Sequence, residues 1–411
     1  MNSRRVVITG MGAVSPIGND LQSVEASLRS GHSGVRFMHE WQEIEGFVTR
    51  VAAPPAAGLN DKEIPRKFRR SMGPQAVYSA LAARQAIAQA GLTDQQVRAG
   101  RTGLSVGSTL GSAQSIHDFF GSYFEKKSVV GIKGTAFLQC MGHTCAANVA
   151  LMLGITGRVL APLSACTSGS QGIGAGYEAI LAGAQDVMLC GGADEAHFTA
   201  AITFDLVRGT STHFHEQPQA TPRPFDRDRD GLVVGGGSGI LVLESLEHAE
   251  ARGATVLAEV IGYATNCDGT HISQPQQAGM EACMRLGLRS AGLEPADVDY
   301  INAHATATPL GDAVEAKATA AVFADRVPVS STKGQTGHTM GACGALETIF
   351  TVLMMRGDFI AATRNLEHLD PECSGIQHVQ SLRAAQIEVA VKNNFAFGGV
   401  NTSLVLRRFD G

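Results

Sequence analysis

Short apolar runs alternate with helix-like runs along this chain, and that alternation confines it to α/β layers. The strand-like runs are Arg5–Thr9, Gly103–Val106, Val159–Ser164, Asp186–Cys190, Gly239–Glu244, Val256–Tyr263, Val298–Ala303, Val327–Thr332, Ile387–Asn393 and Thr402–Arg407. Helical spacing marks Ala76–Ala90, Gly174–Ala182, Met280–Ala291, Asp312–Ala324 and Ala342–Arg356. Asn19–Leu28 and Gly91–Arg101 carry loop and cap residues. At 411 residues the chain exceeds one ordinary domain. A Glu- and Ala-rich helix, Ser245–Arg252, closes on Gly253, and the strand after it, Ala258-Glu-Val-Ile-Gly-Tyr-Ala264, echoes the opening Val6-Val-Ile-Thr-Gly-Met-Gly12. The expectation is two similar halves, 1–253 and 254–411.

One strand-to-helix turn stands out chemically. The run Arg158-Val-Leu-Ala-Pro-Leu163 leads into Ser164-Ala-Cys166, and the small-residue stretch Thr167–Gly176 leads out. Such a turn sets the Cys166 thiol at the positive end of a helix dipole, which favours thiolate. Two further strands end in reactive residues. Val298-Asp-Tyr-Ile301 leads to Asn302-Ala-His304, and Val327-Pro-Val329 leads to Lys333-Gly-Gln-Thr-Gly-His338. The carboxyl ends of strands are where α/β sheets assemble sites, so one cysteine and two histidines converge on a single pocket. A thiolate accepts an acyl group, and imidazoles donate to an oxyanion or act as a base. One Cys–His pair also suits a hydrolase; a second histidine points toward carbon–carbon bond formation through an enolate.

Composition excludes other classes. A net charge of −5 argues against a dedicated nucleic-acid binder. No apolar stretch reaches the length of a membrane span, and the N-terminal run stops at Gly10, too soon for a signal peptide. Eight scattered cysteines read as buried free thiols of a reducing cytoplasm. Cys140-Met-Gly-His-Thr-Cys145 lacks a second ligand pair, so no metal site is expected there. Gly10-Met-Gly-Ala-Val-Ser-Pro-Ile-Gly18 imitates a dinucleotide loop, but its third glycine is misplaced and Pro16 intrudes, so nucleotide binding is not expected there. Gly235–Gly239 lacks the Lys-Ser/Thr of a phosphate loop and reads as tight packing. His213 and His215 sit in a polar stretch and read as solvated. Asn393-Asn-Phe-Ala-Phe-Gly-Gly-Val-Asn401 joins the last two strands, as a plain hairpin turn or as a loop with free backbone N–H groups.

Taken together in order and spacing, these motifs resemble the β-ketoacyl-acyl carrier protein synthases of the elongating (type I/II) branch. The resemblance runs from Arg5 to Arg408 and includes Pro224-Phe-Asp-Arg-Asp-Arg-Asp-Gly231, Gly341-Ala-Cys-Gly-Ala-Leu-Glu347 and Phe395-Ala-Phe-Gly-Gly399. It implies a thiolase-like fold of five αβαβα layers in two duplicated halves, and usually a homodimer; a heterodimer with a related subunit is the variant. The implied reaction is a decarboxylative Claisen condensation. Cys166 takes an acyl group from carrier-protein phosphopantetheine, malonyl-carrier protein loses CO2, and its enolate attacks. No cofactor of the enzyme's own and no metal is implied.

The resemblance also implies roles. Cys166 is the nucleophile, and its backbone N–H with that of Phe397 forms the oxyanion hole. His304 and His338 bind the malonyl carbonyl, Lys333 and Glu347 organise them, Thr306 and Thr308 hold the pantetheine, and Phe395 is the gate. Lys62–Arg70 holds five positive charges against one negative; Arg66, Lys67 and Arg70, extended by Lys126 and Lys127, would dock the acidic carrier protein. Chain length would be set around Ser108–Ser112 and Gln139–Met141. The sequence departs from the family pattern at several positions. Ala305 and Ala307 replace Gly and Ser after the first histidine; Ala396 and Val400 alter the gating loop, stiffening it; Lys392 stands where a small polar residue is common, near where relatives can hold a monovalent cation that its ammonium could replace. Those departures resemble a subgroup of specialised pathways such as aryl polyene assembly. A non-catalytic, chain-length-factor-like subunit is the rival reading; such subunits lack the nucleophile.

Overall fold

The computed structural model describes residues 4–409; residues 1–3 and 410–411, at the two ends of the expected halves, lie outside that range. Its main sheet has eleven strands. In chain order they are β1 (Val6–Val14), β2 (Thr102–Gly107), β3 (Val159–Leu160), β4 (Val187–Asp194), β5 (Gly237–Ser245), β6 (Ala258–Cys267), β7 (Tyr300–Asn302), β8 (Pro328–Ser330), β9 (Gln377–His378), β10 (Val389–Phe395) and β11 (Val400–Arg407). The spatial order is β9-β8-β7-β10-β11-β6-β1-β5-β4-β2-β3.

That order repeats. Outward from the central β1–β6 pair, the first half runs first, fifth, fourth, second, third strand. The second half runs first, last, last but one, second, third, with β9 added at the edge. Directions repeat as well: the two inner pairings of each half are antiparallel and the outer ones parallel. The halves join where β1 pairs β6 antiparallel, Val6 against Val260 and Ile8 against Ala258.

Five helices place the layers: α1 (Pro74–Ala90), α2 (Ser168–Leu181), α3 (Gln277–Ala291), α4 (Pro309–Phe323) and α5 (Cys343–Arg356). Helix α5 is buried from Cys343 to Met355; with Glu347 its one charged residue in that stretch, it lies inside. It shares the central apolar cluster with Ile173 and Ile180 of α2, Leu241 and Leu243 of β5, and Val260 of β6. Helix α1 packs with Val149 outside the first half, and α3 and α4 cover the second. This is the five-layered αβαβα arrangement of a thiolase-like fold.

The strand and helix runs expected from sequence are all present, with shifted ends. Strand β1 continues through Gly10 and Gly12 because α1 presses against it; a Cβ at either glycine would meet the backbone carbonyls of Ala86 or Ala82. Those glycines thus serve packing. In the Gly235–Gly239 run, a Cβ at Gly239 would meet Leu346 N at 2.7 Å. Strand β3 stops after two residues, since Pro162 cannot donate to the ladder. Asn19–Leu28 is not a loop: Asp20 caps a helix, Leu21–Ser30, whose Val24 and Leu28 are buried. Asp94–Arg98 is helical too, with a capping box from Thr93 and Gln96. The helices Ala113–Lys126, Gly134–Cys140 and Thr144–Leu153 have no counterpart in the sequence expectation.

All eight cysteines are free; Cys267 is exposed and Cys140 half-buried, so burial does not extend to every thiol. His213 is exposed, but His215 is half-buried and its Nε2 accepts from Arg50 N at 3.2 Å. Among the described residues no single helix is long and apolar enough to cross a membrane.

Candidate active site

The repeat puts two site residues in equivalent places. Cys166 follows β3 and precedes α2; His338 follows β8 and precedes α5. Both turns are strained. Ala165 has φ 50° and Met340 φ 55°, conformations that L residues adopt only where the surroundings impose them. Ser168 Oγ accepts from Ser164 N at 2.9 Å, and the backbone N–H of His338 donates to Val233 O at 2.7 Å. Helices α2 and α5 approach closely through glycine, and Gly169 leaves only 2.7 Å between a built Cβ and Gly341 O. Their N-terminal ends thereby meet at the thiol.

The three reactive groups converge. His338 Nε2 lies 2.9 Å from Cys166 Sγ. The His304 and His338 rings are 5.2 Å apart and nearly perpendicular. Ligand-capable atoms of all three residues fall within 4.8 Å of one another. Cys166 is only 6% exposed, and burial pushes its thiol up to about 12, with nearby Lys333 and the backbone N–H groups of Cys166 and Phe397 pulling the other way. Desolvation therefore outweighs these pulls, and the resting residue is a thiol rather than the thiolate expected from sequence. Burial, then the Lys333 and Lys392 ammoniums, hold both imidazoles well below the usual histidine range, so both are neutral.

Their tautomers differ in what fixes them. Asn394 Nδ2 lies 3.2 Å from His304 Nδ1, which therefore accepts and leaves the His304 proton on Nε2. Among the described residues no side chain partners His338 Nδ1, so either nitrogen of that ring can hold its proton. A protonated His304 Nε2 is a donor and offers no lone pair to a metal.

A fully buried ionic cluster underlies the histidines. Glu347 of α5 bridges Lys333 Nζ with one oxygen and Lys392 Nζ, at 2.7 Å, with the other. One carboxylate thus faces two ammoniums. Paired and hydrogen-bonded burial of this kind is tolerated where an unpaired charge would not be.

The hairpin after β10 is both things the sequence allowed. Gly398 (φ 88°) and Gly399 (φ 71°) make a turn, with Ala396 N donating to Val400 O at 2.8 Å. The same turn brings Phe397 N–H to the thiol. Ala396 is not among the residues with positive φ, so this conformation does not require a glycine there. Phe395 is the last residue of β10, paired with Asn401 and 6% exposed; it lines the cleft to the thiol, its ring centroid 6.2 Å from that of His304. The aromatic ring projecting from the turn is Phe397, which rests on Phe204 with centroids 5.4 Å apart.

A cleft of about 330 Å³ leads to Cys166, His304 and His338, with Thr306, Thr308 and Phe397 along it. The threonine hydroxyls are 3.2 Å apart. Ser108–Ser112 and Gln139–Met141 do touch each other, Ser112 N donating to Gln139 O at 3.0 Å, but none of them lines this cleft. Arg66, Lys67, Arg70, Lys126 and Lys127 are all exposed; Arg66 and Lys67 lie on a short helix, Arg66–Arg69, that Arg70 caps and whose Arg69 is tied to Asp61 at 3.1 Å.

Several positioning residues escaped the sequence reading. Glu315 of α4 accepts from the backbone N–H of His304 at 2.7 Å and of Ala305 at 2.6 Å. Arg229 donates to Thr308 O at 3.3 Å and Pro309 O at 2.7 Å, and Asp312 accepts from Ala307 N at 3.0 Å, holding Ala307 at φ 69°. Arg229 lay inside a motif already noted; Glu315, eleven residues from its partner, gave no local signal. Ala305 packs in the second-half core, so replacing glycine there costs no room.

Comparison with known proteins agrees with this geometry. A profile described as "Beta-ketoacyl synthase, N-terminal domain" matches residues 3–249, and one described as "Beta-ketoacyl synthase, C-terminal domain" matches 257–367. The chain is 39% identical over 411 residues to 3-oxoacyl-[acyl-carrier-protein] synthase 1 of Haemophilus influenzae, covering 99% of this chain and 100% of that protein. The crystal structure of a β-ketoacyl synthase from Burkholderia phymatum STM815 superposes with a TM-score of 0.95 at 45% identity, over 99% of this chain and 100% of the other. AntDE:AntF, a type II polyketide acyl-carrier protein in complex with its ketosynthase, matches with a TM-score of 0.91 at 27% identity, over 100% of both chains.

Proposed function

The chain belongs to the β-ketoacyl synthase family, and on that premise we propose how its residues carry out decarboxylative condensation. The observation that supports the reading most is the thiol and two neutral imidazoles within 4.8 Å at the end of a cleft.

In the first half-reaction Cys166 Sγ attacks an acyl thioester on the carrier protein's phosphopantetheine. Its proton passes to His338 Nε2, 2.9 Å away, and on to the departing pantetheine sulfur. The tetrahedral oxyanion sits between the backbone N–H groups of Cys166 and Phe397. In the second, His304 Nε2–H donates to the malonyl thioester carbonyl, joined by His338 in its Nε2–H form. The bond to CO2 breaks and its electron pair moves into the enolate. The enolate carbon attacks the Cys166 thioester, the C–S bond breaks, and the Cys166 thiolate recovers a proton from solvent. Lys333 and Glu347 hold the charge balance beneath the histidines, Thr306 and Thr308 line the pantetheine path, and of the two aromatics along the cleft, Phe395 and Phe397, the more exposed Phe397 is the better placed to gate it. The enzyme needs no cofactor of its own. The rival reading as a non-catalytic subunit finds no support in a site whose nucleophile and both histidines are in place.

The partner is an acyl carrier protein in acyl and malonyl forms, docked on Arg66, Lys67, Arg70, Lys126 and Lys127. The structural relative AntDE:AntF is such a complex. We read the chain as two halves, 1–253 with the nucleophile and 254–411 with the histidines; the repeated strand order supports this. Two copies associate through the short edge strand β3 and the exposed apolar side chains beside it, Leu163 among them. Eight free cysteines support a cytoplasmic setting.

The test is intact-mass analysis after incubation with acyl-carrier protein. Wild type gains one acyl group; Cys166→Ala gains none yet still decarboxylates malonyl-carrier protein. A covalent adduct on that variant would sink the assignment. Wild type run across a panel of acyl chains reads substrate preference.

A further inference from the structure

We propose that Lys392 is a positioning residue that sets the proton of His304: by holding the carbonyl end of the Asn394 amide, it keeps the amide N–H on His304 Nδ1 and so keeps the imidazole proton on Nε2. The argument starts from the lysine. Its side chain is fully buried on β10, and its three N–H bonds have three acceptors: Asn393 O at 2.7 Å, Glu347 Oε2 at 2.7 Å and Asn394 Oδ1. Asn394 Oδ1 also accepts from Ser170 Oγ of α2, at 2.5 Å. Two donors, one an ammonium, thus pin the oxygen end of this amide.

The nitrogen end has no freedom left. Asn394 Nδ2 faces His304 Nδ1 at 3.2 Å, Glu347 Oε2 at 3.2 Å and Cys343 Sγ at 3.3 Å. An amide flip would set NH2 against an ammonium and a hydroxyl while aiming oxygen at Glu347. It would also demand a proton on His304 Nδ1, leaving only a lone pair for substrate. The orientation of one amide therefore decides whether His304 donates or accepts, and Lys392 at its oxygen end acts with Glu347 at its nitrogen end to set that orientation.

A purely structural role does not explain a second ammonium here. Glu347 already pairs with Lys333, so Lys392 brings a second amine to one carboxylate, and burial with the Lys333 charge holds it below the usual lysine range. A neutral side chain of similar length would fill the space without that penalty. The neutral alternative would lose the one obligate donor at the oxygen end of the Asn394 amide, since the Ser170 hydroxyl can also accept.

The kinetic part of this inference rests on the reading of His304 as the enolate donor; the tautomer itself does not. The experiment uses full-length protein labelled with 15N-histidine. Imidazole nitrogen shifts, with His304 assigned by the signal missing from His304→Gln, should show the Nε2–H tautomer alone in wild type. Lys392→Met should show a mixture. Its malonyl decarboxylation should slow about 10- to 100-fold, less than outright loss of an oxyanion donor, while acylation of Cys166 by acyl-carrier protein should change less than about threefold. A wild-type His304 protonated on Nδ1 overturns the proposal without any variant, so it holds even should Lys392→Met not fold. So does a folded Lys392→Met that keeps the Nε2–H form alone, or one in which both half-reactions fall together, as a merely structural lysine would produce. A mixed tautomer with unchanged decarboxylation would instead count against His304 as enolate donor and leave the positioning role standing.

Discussion

At the scale of single residues, the site trades a ready nucleophile for a dry one. With burial pushing Cys166 up to about 12, alkylation of the peptide containing it by iodoacetamide should keep accelerating from about pH 7 to about pH 10. A rate that levels off near neutrality would reveal a preformed thiolate. The buried imidazoles make a second prediction. Both are held below the ordinary histidine range, so as pH falls below about 6.5 the unfolded chain takes up protons that the folded one refuses, and stability drops. Thermal melts between about pH 7 and about pH 5 should fall less steeply for a His304→Asn, His338→Gln double variant. Glu347 works in the opposite sense. Its carboxyl is held below the usual carboxylate range despite burial, by the two lysines, so its contribution is present above about pH 4.5 and lost as pH falls further. Glu347→Gln leaves two buried ammoniums unpaired and should cost about 3–5 kcal/mol, measured by denaturant unfolding. Cys166, His304 and His338 were legible in the sequence because each ends an apolar strand. Asn394 was not, because its importance lies in which end of its amide faces which neighbour, and that depends on Ser170 and Lys392 from elements a linear reading does not bring together.

At the scale of elements, the central helix pair controls alignment. A Cβ at Gly344 of α5 would run into Ser170 of α2 and come within 3.1 Å of Asn394 Oδ1. Gly344→Ala should therefore destabilise the fold by about 1–3 kcal/mol and slow condensation more than stability alone accounts for; unchanged turnover would show that the pair has slack. Element existence was readable from apolar periodicity, and element ends were not. Strand β1 outran its expected end because glycines that look like a turn are spaces for α1, and β3 fell short because a proline interrupts its ladder. The helices between Ala113 and Leu153 were missed for a different reason. Phe124, Phe137 and Leu151 lie exposed, so the apolar residues there do not mark an inward face within this chain.

At the scale of the whole molecule, those exposed apolar groups and the β3 edge predict association. Replacing Val159 and Leu163 by lysine should shift the mass measured by light scattering toward that of one chain; an unaltered mass would move the interface elsewhere. Reversing Arg66, Lys67 and Arg70 to glutamate should weaken carrier-protein binding, with the wild-type affinity falling as salt rises. The two similar openings, Val6–Gly12 and Ala258–Ala264, start strands at equivalent places of the repeated strand order, although little else in the two sequences matches: what repeats is a path through space, and many sequences satisfy it. That repeat bears on ancestry. Cys166 and His338 stand at equivalent places of the repeated strand order; the Cys166 turn is held within its own half by Ser168, while His338 N donates across to Val233 O of the other. The scaffold that presents the thiol does not depend on the thiol. A descendant gene can therefore lose the sulfur in one substitution, keep a folded protein with an intact interface, and persist as a silent companion to an active sister.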